Sequence, residues 1–590
     1  MKAKLFFVSL LATAFFSCCS SDDPVISPDG GDAAGAPQFL TVNLVTSGES
    51  ATKTRAAGDQ TPGDPTNDDG NKATYEEGLE DENDVTGIRF YFFNGDEPAY
   101  VKMSQNGKLN YLDWEKVDDA GVNMPNVEKI LSAMLILQTP AGDEMPETMV
   151  AIVNPTSDLP TGAITLTGLK AKYGNYTENT TPGNFIMSNS TYARENAAVM
   201  EVDVKNHIMS SKDAALAVPV NVYVERTVAK VRVVSDLAVA QTLSDGTVLY
   251  DPSAKDDTEQ KFNTQKIYVK FLGWNATAVA DNSRLIKKIN PGWDGSLLDS
   301  FGPWNWADYS RSFWAVNVNE ADNNKALRYQ YGTFQKNPEG TTNKDNLFQA
   351  QAQTGFDQKE NYVYVNENAS DDFSSGSGAS TATKVIIAAQ LVDENGKAIE
   401  FAEYGSERMK TSDLTTKFAS LLGYYKKVTL ADNSTKYEPM TSSDLRIMTA
   451  TEVNNNVKVE QDRYKVYVQL TKAAESEKWY PSNKESQTDK DILPTDQINK
   501  TLKELGSAKV WKDGYTYYYF DIEHGSKKGV VRNHIYDASL TSLVGLGTPV
   551  YNPDEIIYPE KPTPETDTYL AARINILSWR VVKNDVPLEW

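Results

Sequence analysis

Catalysis needs histidines, cysteines or carboxylates at particular spacings, and the sequence offers few such arrangements. Its three histidines are His207, His524 and His534, and none stands beside residues that would complete a catalytic triad or a zinc site. No Gly-x-x-x-x-Gly-Lys-Ser/Thr, His-Glu-x-x-His or Gly-x-Ser-x-Gly motif occurs. We therefore expect surface or hydrogen-bonding histidines, no enzymatic activity and no cofactor.

The acidic residues are numerous but do not form a recognisable site. A glycosidase needs two carboxylates at a defined separation across a cleft, and 81 Asp and Glu residues single out no pair. The DGGD stretch and the Asp-rich residues 64–69 do not fit the twelve-residue calcium loop that ends in Glu. We expect no metal site, and a carboxylate-based glycosidase is the least supported function.

Four tryptophans lie close together at Trp293, Trp304, Trp306 and Trp314. Exposed aromatic rings at this density stack on sugars or form a partner site. The alternative is that they pack between a sheet and a covering loop. A non-polymerising surface lipoprotein that binds glycans through this cluster is therefore one candidate function.

Length and charge restrict the class of protein. A chain of 590 residues exceeds the roughly 250 to 300 residues that one core serves, so two or more domains are expected. The net charge of −23 repels polyanions, so nucleic acid is not an expected partner.

The first residues predict export. Two lysines and a short apolar run make residues 1–17 a signal peptide, because the run is too short to span a bilayer. Cys18 and Cys19, the only cysteines, follow directly, and Cys18 after a small residue resembles a bacterial lipidation site. We expect a palmitate-bearing lipid anchor on Cys18, less so on Cys19, with ordinary secretion as the alternative. Asp22 and Asp23 resemble the export tag of surface lipoproteins.

One strand is predicted ahead of the body of the protein. Residues 38–47 alternate, and Leu40, Val42 and Leu44 share the aliphatic face of a half-buried strand. Polar stretches without large apolar side chains lie on both sides of it. The sequence thus predicts a single strand between two unfolded segments.

The body of the chain predicts mostly β structure. Alternating or β-branched runs occur at residues 85–96, 147–155, 216–237, 266–278, 382–393, 463–470 and 514–524. Residues 126–138 carry Val127, Ile130, Leu131 and Met134 at helical spacing, so a helix is predicted there. Strand runs with a few helices and no regular alternation favour β-sandwiches.

The tail, residues 568–590, is a strong strand signal on a proline-punctuated linker. A change of phase beyond Ser578 predicts a bulge or bend between two strand segments. The tail either folds onto its own body as an edge hairpin or reaches a neighbour, because such a linker is stiff and extended. Its apolar positions are Leu570, Ala572, Ile574, Ile576, Trp579, Val581 and Leu588.

Several segments in order resemble the Bacteroidales fimbrillins, the subunits of type V pili. They are VYVERTVAKVRV at 222–233, FLGWNATA at 271–278, WADYSRSFWAVN at 306–317 and NHIYDASLTSLVGLGTP at 533–549. The C-terminal part looks most like the shaft subunit of the minor fimbria. The resemblance implies two tandem transthyretin-like β-sandwiches with a few short helices and a C-terminal donor-strand tail.

The resemblance also implies a maturation route. An arginine-specific surface protease would cut after Arg55, leaving Ala56 as the new N-terminus and removing the strand at 38–47. The implied divisions are a signal peptide at 1–17, a lipidated propeptide at 18–55, sandwiches at 56–213 and 214–549, and linker with donor strands at 550–590. Removal of the strand would expose a hydrophobic groove open to strand addition.

The implied partners are other copies of the chain, joined head to tail, together with accessory, anchor and tip fimbrial subunits. Before processing, the lipid anchor would attach the chain to the outer membrane, and afterwards it would lie in a surface fimbria supporting adhesion. An accessory or tip fimbrillin of the same system is the close alternative to a shaft subunit. A tip protein would more naturally lack the tail.

Overall fold

The structure is a computed structural model of the chain. It describes residues 36–46, 82, 84–114, 118–119, 130–156, 158–175, 180–181, 183–190, 192–194, 197–252, 259–280, 282–288, 326–327, 362–369, 382–453, 464–524, 527–554, 569–577 and 582–583. Strands dominate these residues, so the predicted mostly β sandwich fold is confirmed.

The first body is built on one ten-stranded sheet. The strand Ile88–Asn94 shows why both faces of the sheet are covered: Phe90 and Phe92 enter one core, and Tyr91 and Phe93 enter a second core on the other face. The spatial order is Glu97–Pro98, Ile88–Asn94, Thr148–Val153, Met187–Asn189, Val220–Arg226, Gln38–Thr46, Ile130–Leu137 and Asp118–Asp119, with Val202–Asp203 beside Thr148–Val153 and Tyr111–Trp114 beside Ile88–Asn94.

The second body is a sandwich of two sheets. Val231 and Ala538 from one sheet and Phe271 and Ile387 from the other lie in a single core. The first sheet runs Tyr362–Asn366, Val228–Ser235, Ile535–Val544, Tyr569–Leu577 and Val582–Lys583. The second runs Val239–Thr242, Val248–Tyr250, Tyr268–Thr277, Lys384–Val392, Tyr515–Asp521 and Thr548–Pro549.

The two bodies meet at Thr227. Val220–Arg226 lies in the sheet of the first body and Val228–Ser235 in that of the second, so a nearly continuous stretch crosses between them. Val228 and Ile535 also enter the core of the first body, so the two cores touch. The division of the chain at 213/214 stays a prediction, and the change of sheet comes at Thr227.

A third unit, here called the inserted module (residues 401–511), interrupts the second body. It leaves after Lys384–Val392 and returns before Tyr515–Asp521, two strands that pair directly. In the described residues of the module, a five-stranded sheet, a three-stranded sheet and four α-helices surround its own core. Its elements are Phe401–Tyr404, Glu407–Met409, Thr411–Leu422 (helix), Tyr425–Thr429, Thr435–Pro439, Leu445–Thr449, Ala450–Val453 (helix), Lys465–Leu470, Lys472–Glu475 (helix), Trp479–Tyr480, Thr495–Glu504 (helix) and Ala508–Trp511.

The remaining described elements are short. Helices cover Leu166–Lys170 and Lys212–Ala217. Small sheets pair Lys102–Ser104 with Gly107–Leu109, Tyr173–Asn175 with Asn282–Arg284, Tyr192–Arg194 with Ala197–Val199, Lys261–Phe262 with Gln265–Lys266, Val279–Ala280 with Ala326–Leu327, and Lys527–Val530 with both Asn368–Ala369 and Glu523–His524. Single 3₁₀ turns cover Lys205–His207, Ser442–Asp444, Asp489–Asp491 and Lys512–Gly514. None of the helices in the described ranges is long and apolar enough to cross a bilayer.

The helix predicted at residues 126–138 is wrong. The structure has a strand at Ile130–Leu137, and Ala133, Leu135 and Leu137 alternate into the core. Nearly every residue of this run is apolar, so it satisfies the helical period and the strand period equally well. Pairing with the distant strand Gln38–Thr46 decides the outcome.

Candidate functional site

The leading strand, Gln38–Thr46, lies inside the sheet of the first body with a neighbour on each side. It runs antiparallel to Ile130–Leu137, with Leu40 opposite Leu135 and Val42 opposite Ala133. On its other edge it runs parallel to Val220–Arg226, with Val42 opposite Val220. Both ladders are therefore completed by the strand that comes first in the described part of the chain.

The leading strand places the three predicted side chains in the core. Leu40 and Val42 are 0% exposed and Leu44 is 1% exposed. On the opposite face Phe39 and Asn43 are half-buried, and the Asn43 amide donates to the Asn221 side-chain oxygen at 3.2 Å. At about 1.5 to 3 kcal/mol for each buried aliphatic side chain, the strand contributes roughly 5 to 9 kcal/mol of apolar burial.

The start of the leading strand is fixed by a pair of backbone hydrogen bonds. The Phe39 amide donates to the Met209 carbonyl at 2.7 Å, and the Met209 amide donates to the Phe39 carbonyl at 2.8 Å. Just beyond Met209, Ser211 caps the helix Lys212–Ala217 by accepting from the Ala214 amide at 3.3 Å. This strand end is thus held against the segment that leads into Val220–Arg226.

Removal of the leading strand would leave a groove with two unpaired edges. Its apolar floor would be the inward side chains of its neighbours, all of them buried in the intact sheet. Unpaired strand edges beside apolar surface are templates for an added strand. The floor consists of Ala133, Leu135, Leu137, Val220, Val222 and Val224.

Beyond the leading strand, the chain is anchored again at Glu82. The Glu82 carboxylate accepts from the Lys230 ammonium at 2.8 Å and from the Tyr364 hydroxyl, and its carbonyl accepts from Arg226 Nε at 2.9 Å. Glu82 is completely buried. Residue 82 is therefore tied to both bodies, because Arg226 belongs to the sheet of the first and Lys230 and Tyr364 to the second.

The charge on Glu82 is compensated. Burial alone raises the pKa of this carboxyl, but the Lys230 charge, the hydrogen bonds from Lys230 and Tyr364, and the Arg226 charge together bring the pKa below its ordinary value. Burial, followed by the neighbouring Glu82 charge, raises the pKa of Tyr364, so its hydroxyl keeps its proton and donates it to Glu82. The Glu82 carboxyl is therefore ionised at neutral pH.

Further buried charges surround the crossing point. Arg532 Nε donates to the Glu367 carboxylate at 2.8 Å, and its guanidinium also donates to the carbonyls of Arg284 and Leu285. The Lys287 ammonium lies 2.9 Å from the Glu225 carboxylate. Burial raises the pKa of Glu225 despite the nearby Lys287 and Arg532 charges. The junction of the two bodies is thus polar at its centre, which the sequence reasoning missed.

The tail strand, Tyr569–Leu577, lies on its own body. It pairs antiparallel with Ile535–Val544, with Ala538 opposite Ile574 and a bulge between Leu540 and Ser542. Val582–Lys583 then pairs back onto it. In the isolated chain the tail therefore forms the edge hairpin that the sequence left open as the alternative to a donor.

The predicted donor residues divide into two groups. Leu570, Ala572, Ile574 and Ile576 lie in the tail strand, whereas Trp579, Val581 and Leu588 lie outside the described residues. The structure does not bring the four described residues beside the leading strand, because the tail strand and the leading strand lie in different sheets.

Other predicted positions also lie outside the described residues. These are Cys18, Cys19, Arg55, Ala56, Trp293, Trp304, Trp306 and Trp314.

The histidines have ordinary surroundings where they are described. His207 is partly exposed, with Nδ1 2.8 Å from the Val218 carbonyl, and His534 is buried, with Nδ1 2.7 Å from the Arg532 carbonyl. His524 lies in the strand Glu523–His524. In the described part of the chain, no group of three or more His, Cys, Asp or Glu is arranged to hold a metal ion.

Comparison with known proteins points to one family. Residues 509–585 match the family model described as "Major fimbrial subunit protein type IV, Fimbrillin, C-terminal". This region contains Ile535–Val544 and the tail strand. A comparison with curated proteins gives no match.

Solved structures give low-identity matches over most of the chain. A putative cell adhesion protein from Parabacteroides distasonis is 11% identical at a TM-score of 0.34, covering 93% of this chain and 99% of that chain. A fimbrilin (fimA) from Porphyromonas gingivalis is 14% identical at 0.32, covering 92% and 99%. The tip fimbrial protein Mfa3 from Porphyromonas gingivalis, with a C-terminal truncation, is 10% identical at 0.28, covering 92% and 100%.

The match of residues 509–585 to the fimbrillin C-terminal region confirms the resemblance read from the sequence for that part of the chain.

Proposed function

We propose that this fimbrillin is a structural subunit of a cell-surface fimbria, specifically the shaft subunit. It is exported as a lipoprotein on Cys18 and cleaved after Arg55. It then polymerises head to tail when residues 568–590 of one subunit replace the leading strand of the next. The observation that carries the proposal is the leading strand itself: a segment ahead of Arg55 fills the middle of a sheet whose other members all come after Arg55.

The apolar patterns of the two strands support exchange. The leading strand buries Leu40, Val42 and Leu44 at every second position. The tail strand carries Leu570, Ala572, Ile574 and Ile576 at the same spacing, so it can present a similar row to the same groove. Strand addition of this kind draws affinity from main-chain hydrogen bonds and specificity from alternate side chains.

The pairing of the tail strand supports its transfer. On its own body the tail has one full neighbour, Ile535–Val544, and the two-residue strand Val582–Lys583. In the groove, the leading strand pairs eight residues with Ile130–Leu137 and five with Val220–Arg226, whereas the tail strand pairs nine and two on its own body. Transfer therefore adds about two ladder hydrogen bonds, each worth roughly 0.5 to 1.5 kcal/mol net.

The geometry of donor and groove gives a filament. Donor and acceptor lie in different bodies, so each contact joins different surfaces of two subunits. A head-to-tail contact of this type propagates unless its rotation closes a ring. Accessory, anchor and tip subunits would end or attach such a filament. The presence of the tail favours a shaft subunit over a tip protein.

The test compares cleavage and polymerisation in one assay. Purified precursor is treated with a limiting amount of an arginine-specific protease, the new N-terminus is sequenced, and assembly is followed as ladders on unboiled gels. We expect Ala56 as the new N-terminus, ladders from wild type, and none from Arg55→Ala or from a chain ending at residue 567. Ladders from the truncated chain would remove the donor role of the tail. Ladders from uncut Arg55→Ala would remove the role of cleavage.

A further inference from the structure

A cavity of about 430 Å³ lies in the first body beside the small sheet that pairs Tyr173–Asn175 with Asn282–Arg284. Its wall is unusually basic for a chain with a net charge of −23. Among the described residues, four cations line it together with the hydroxyl-bearing Thr167 and the apolar Met200, and none of these lining residues is a carboxylate. The four are Lys170, Arg284, Lys287 and Lys288.

Two of the four cations form ion pairs with carboxylates that are not part of the cavity lining. The Lys170 ammonium lies 3.3 Å from Glu201, and the Lys287 ammonium lies 2.9 Å from the buried Glu225. Their charges are therefore compensated whether the cavity is empty or filled.

The other two cations, Arg284 and Lys288, have no carboxylate partner among the described residues. The Arg284 guanidinium lies over the Tyr173 ring, 4.8 Å from its centroid, and Nη1 donates to the Lys170 carbonyl at 3.4 Å. Its Nε is buried and donates to no acceptor in the described part of the chain. The cavity wall thus carries excess positive charge, and one lining residue, Arg284, has a guanidinium N–H without an acceptor in the described part of the chain.

An unused buried donor is costly, and a guanidinium is the group best matched to an oxyanion. Leaving a buried N–H without an acceptor costs free energy, so native proteins rarely do it without a reason. The planar fork of arginine binds carboxylate, sulfate or phosphate through two parallel hydrogen bonds. Stacking on Tyr173 limits the conformations of this fork in advance of binding.

The size of the cavity favours a small organic molecule over a bare ion. The volume lies within the roughly 300 to 1,000 Å³ that small-molecule sites occupy. A water molecule takes up only about 30 Å³, so one inorganic oxyanion would fill a small part of the space. Thr167 and Met200 offer one polar and one apolar contact away from the cations.

We propose that this cavity is a binding site for a small oxyanion-bearing ligand of the size of an acidic monosaccharide. Arg284 and Lys288 bind its acidic group, and the rest of the ligand lies towards Thr167 and Met200. The site lies away from the leading strand and the tail strand, so its occupancy does not depend on strand exchange.

The experiment titrates the unpolymerised full chain by calorimetry in low-chloride buffer. The probes are N-acetylneuraminic acid and glucuronic acid, with neutral N-acetylglucosamine as the matched sugar and sulfate as the inorganic oxyanion. We expect saturable binding of an acidic sugar, competition by sulfate and no binding of the neutral sugar. Arg284→Gln and Lys288→Gln should each weaken binding about tenfold, a change of about 1.4 kcal/mol, since each removes a charge-assisted hydrogen bond to the acidic group.

Lys205→Gln is the control, because Lys205 is an exposed cation of the same body that pairs with Glu147 away from the cavity. Its binding should equal that of wild type. Lys288 is exposed, so Lys288→Gln keeps the test decisive even if Arg284→Gln fails to fold. Binding that survives both substitutions, equal binding of the neutral sugar, or no binding of any anion at millimolar concentrations would overturn the site. Binding of sulfate alone would overturn the assignment to a sugar acid.

Discussion

Glu82 and Lys230 form an ion pair at 2.8 Å in which the side chains are 0% and 3% exposed. The pair connects the first described residue beyond the leading strand to the second body. Lys230 also lies over the Tyr362 ring, 4.0 Å from its centroid. The chain that follows the predicted cleavage site is therefore fixed at the junction by a contact that does not involve the leading strand.

We expect Glu82→Gln to destabilise the processed protein by about 3 to 5 kcal/mol, because it leaves the Lys230 charge buried without its carboxylate. The loss of stability should lie towards the lower end of this range, because the Tyr362 ring still faces the Lys230 ammonium in the variant. The measurement is denaturant unfolding of chains that begin at Ala56. Lys205→Gln, which breaks the exposed pair with Glu147, is the control and should leave the midpoint unchanged. Equal midpoints for wild type and Glu82→Gln would show that the pair does not stabilise the junction.

The same pair predicts a dependence on pH. The pKa of Glu82 is lowered in the folded state from its ordinary value of 4.5. Below about pH 4.5 the unfolded chain therefore binds more protons than the folded chain. The free energy of unfolding falls as the pH falls through the pKa that Glu82 has in the folded state. Glu82→Gln lacks this contribution, so the gap in unfolding free energy between wild type and variant should narrow below pH 4.5 and stay constant from pH 6 to 8. A gap that does not change with pH would contradict a lowered pKa.

The leading strand could be predicted from the sequence because its own alternation determines its buried face. Leu40, Val42 and Leu44 are the only large aliphatic side chains on one side of the strand. A strand with one such face is stable only when that face is turned towards the core. Its neighbours could not be predicted. They are Ile130–Leu137 and Val220–Arg226, about 90 and 180 residues away in the chain.

Two other features, the polar junction and the inserted module, could not be predicted from the sequence, for different physical reasons. The junction depends on pairs such as Glu82 with Lys230, 148 residues apart, and a single charged residue carries no sign of its partner. The sequence did contain one indication of the junction: charged residues interrupt both faces of the strand pair around Thr227, where buried strands are normally apolar.

The inserted module was not predicted because its helices are short and amphipathic. Thr411–Leu422, for example, ends at Gly423, a left-handed residue with φ of 62°.

The inserted module should be dispensable for the fold of the second body. Glu403 and Lys509 are directly paired on neighbouring antiparallel strands. Joining them through an Asn-Gly turn would remove residues 404–508 and keep the stacked pair of Phe401 and Trp511, whose rings lie 4.7 Å apart. We expect the shortened chain to fold, to unfold cooperatively and to polymerise after cleavage. A chain that no longer folds would mean that the module is part of the sandwich core.

A substitution that weakens the packing of the leading strand should lower the stability of the precursor and leave that of the processed protein unchanged. Leu44→Ala removes buried volume from the core and should cost about 2 to 5 kcal/mol in the precursor. After cleavage the strand is no longer part of the chain, so the processed variant should unfold like processed wild type. Gln38→Ala, a half-buried change at the start of the same strand, should stay within about 0.5 kcal/mol of wild type. If Leu44→Ala left precursor stability unchanged, the leading strand would not be a core strand of the molecule in solution.

A reversible lock on the tail tests whether the tail strand leaves its own body. Ala538 and Ile574 are directly opposite on antiparallel strands, and directly opposed positions are near enough for cysteines placed there to form a disulfide. Cys18 and Cys19 are the two cysteines of the sequence, so replacing both by Ser leaves the two introduced cysteines as the sole thiols. We expect the oxidised Ala538→Cys/Ile574→Cys protein to be cleaved normally but to stay monomeric, because the tail cannot reach a neighbour. Reduction should restore ladders, and each single cysteine variant should polymerise under both conditions. Ladders from the oxidised, cleaved double variant would mean that subunits join without releasing the tail strand, and another joint would have to replace the exchange proposed for residues 568–590.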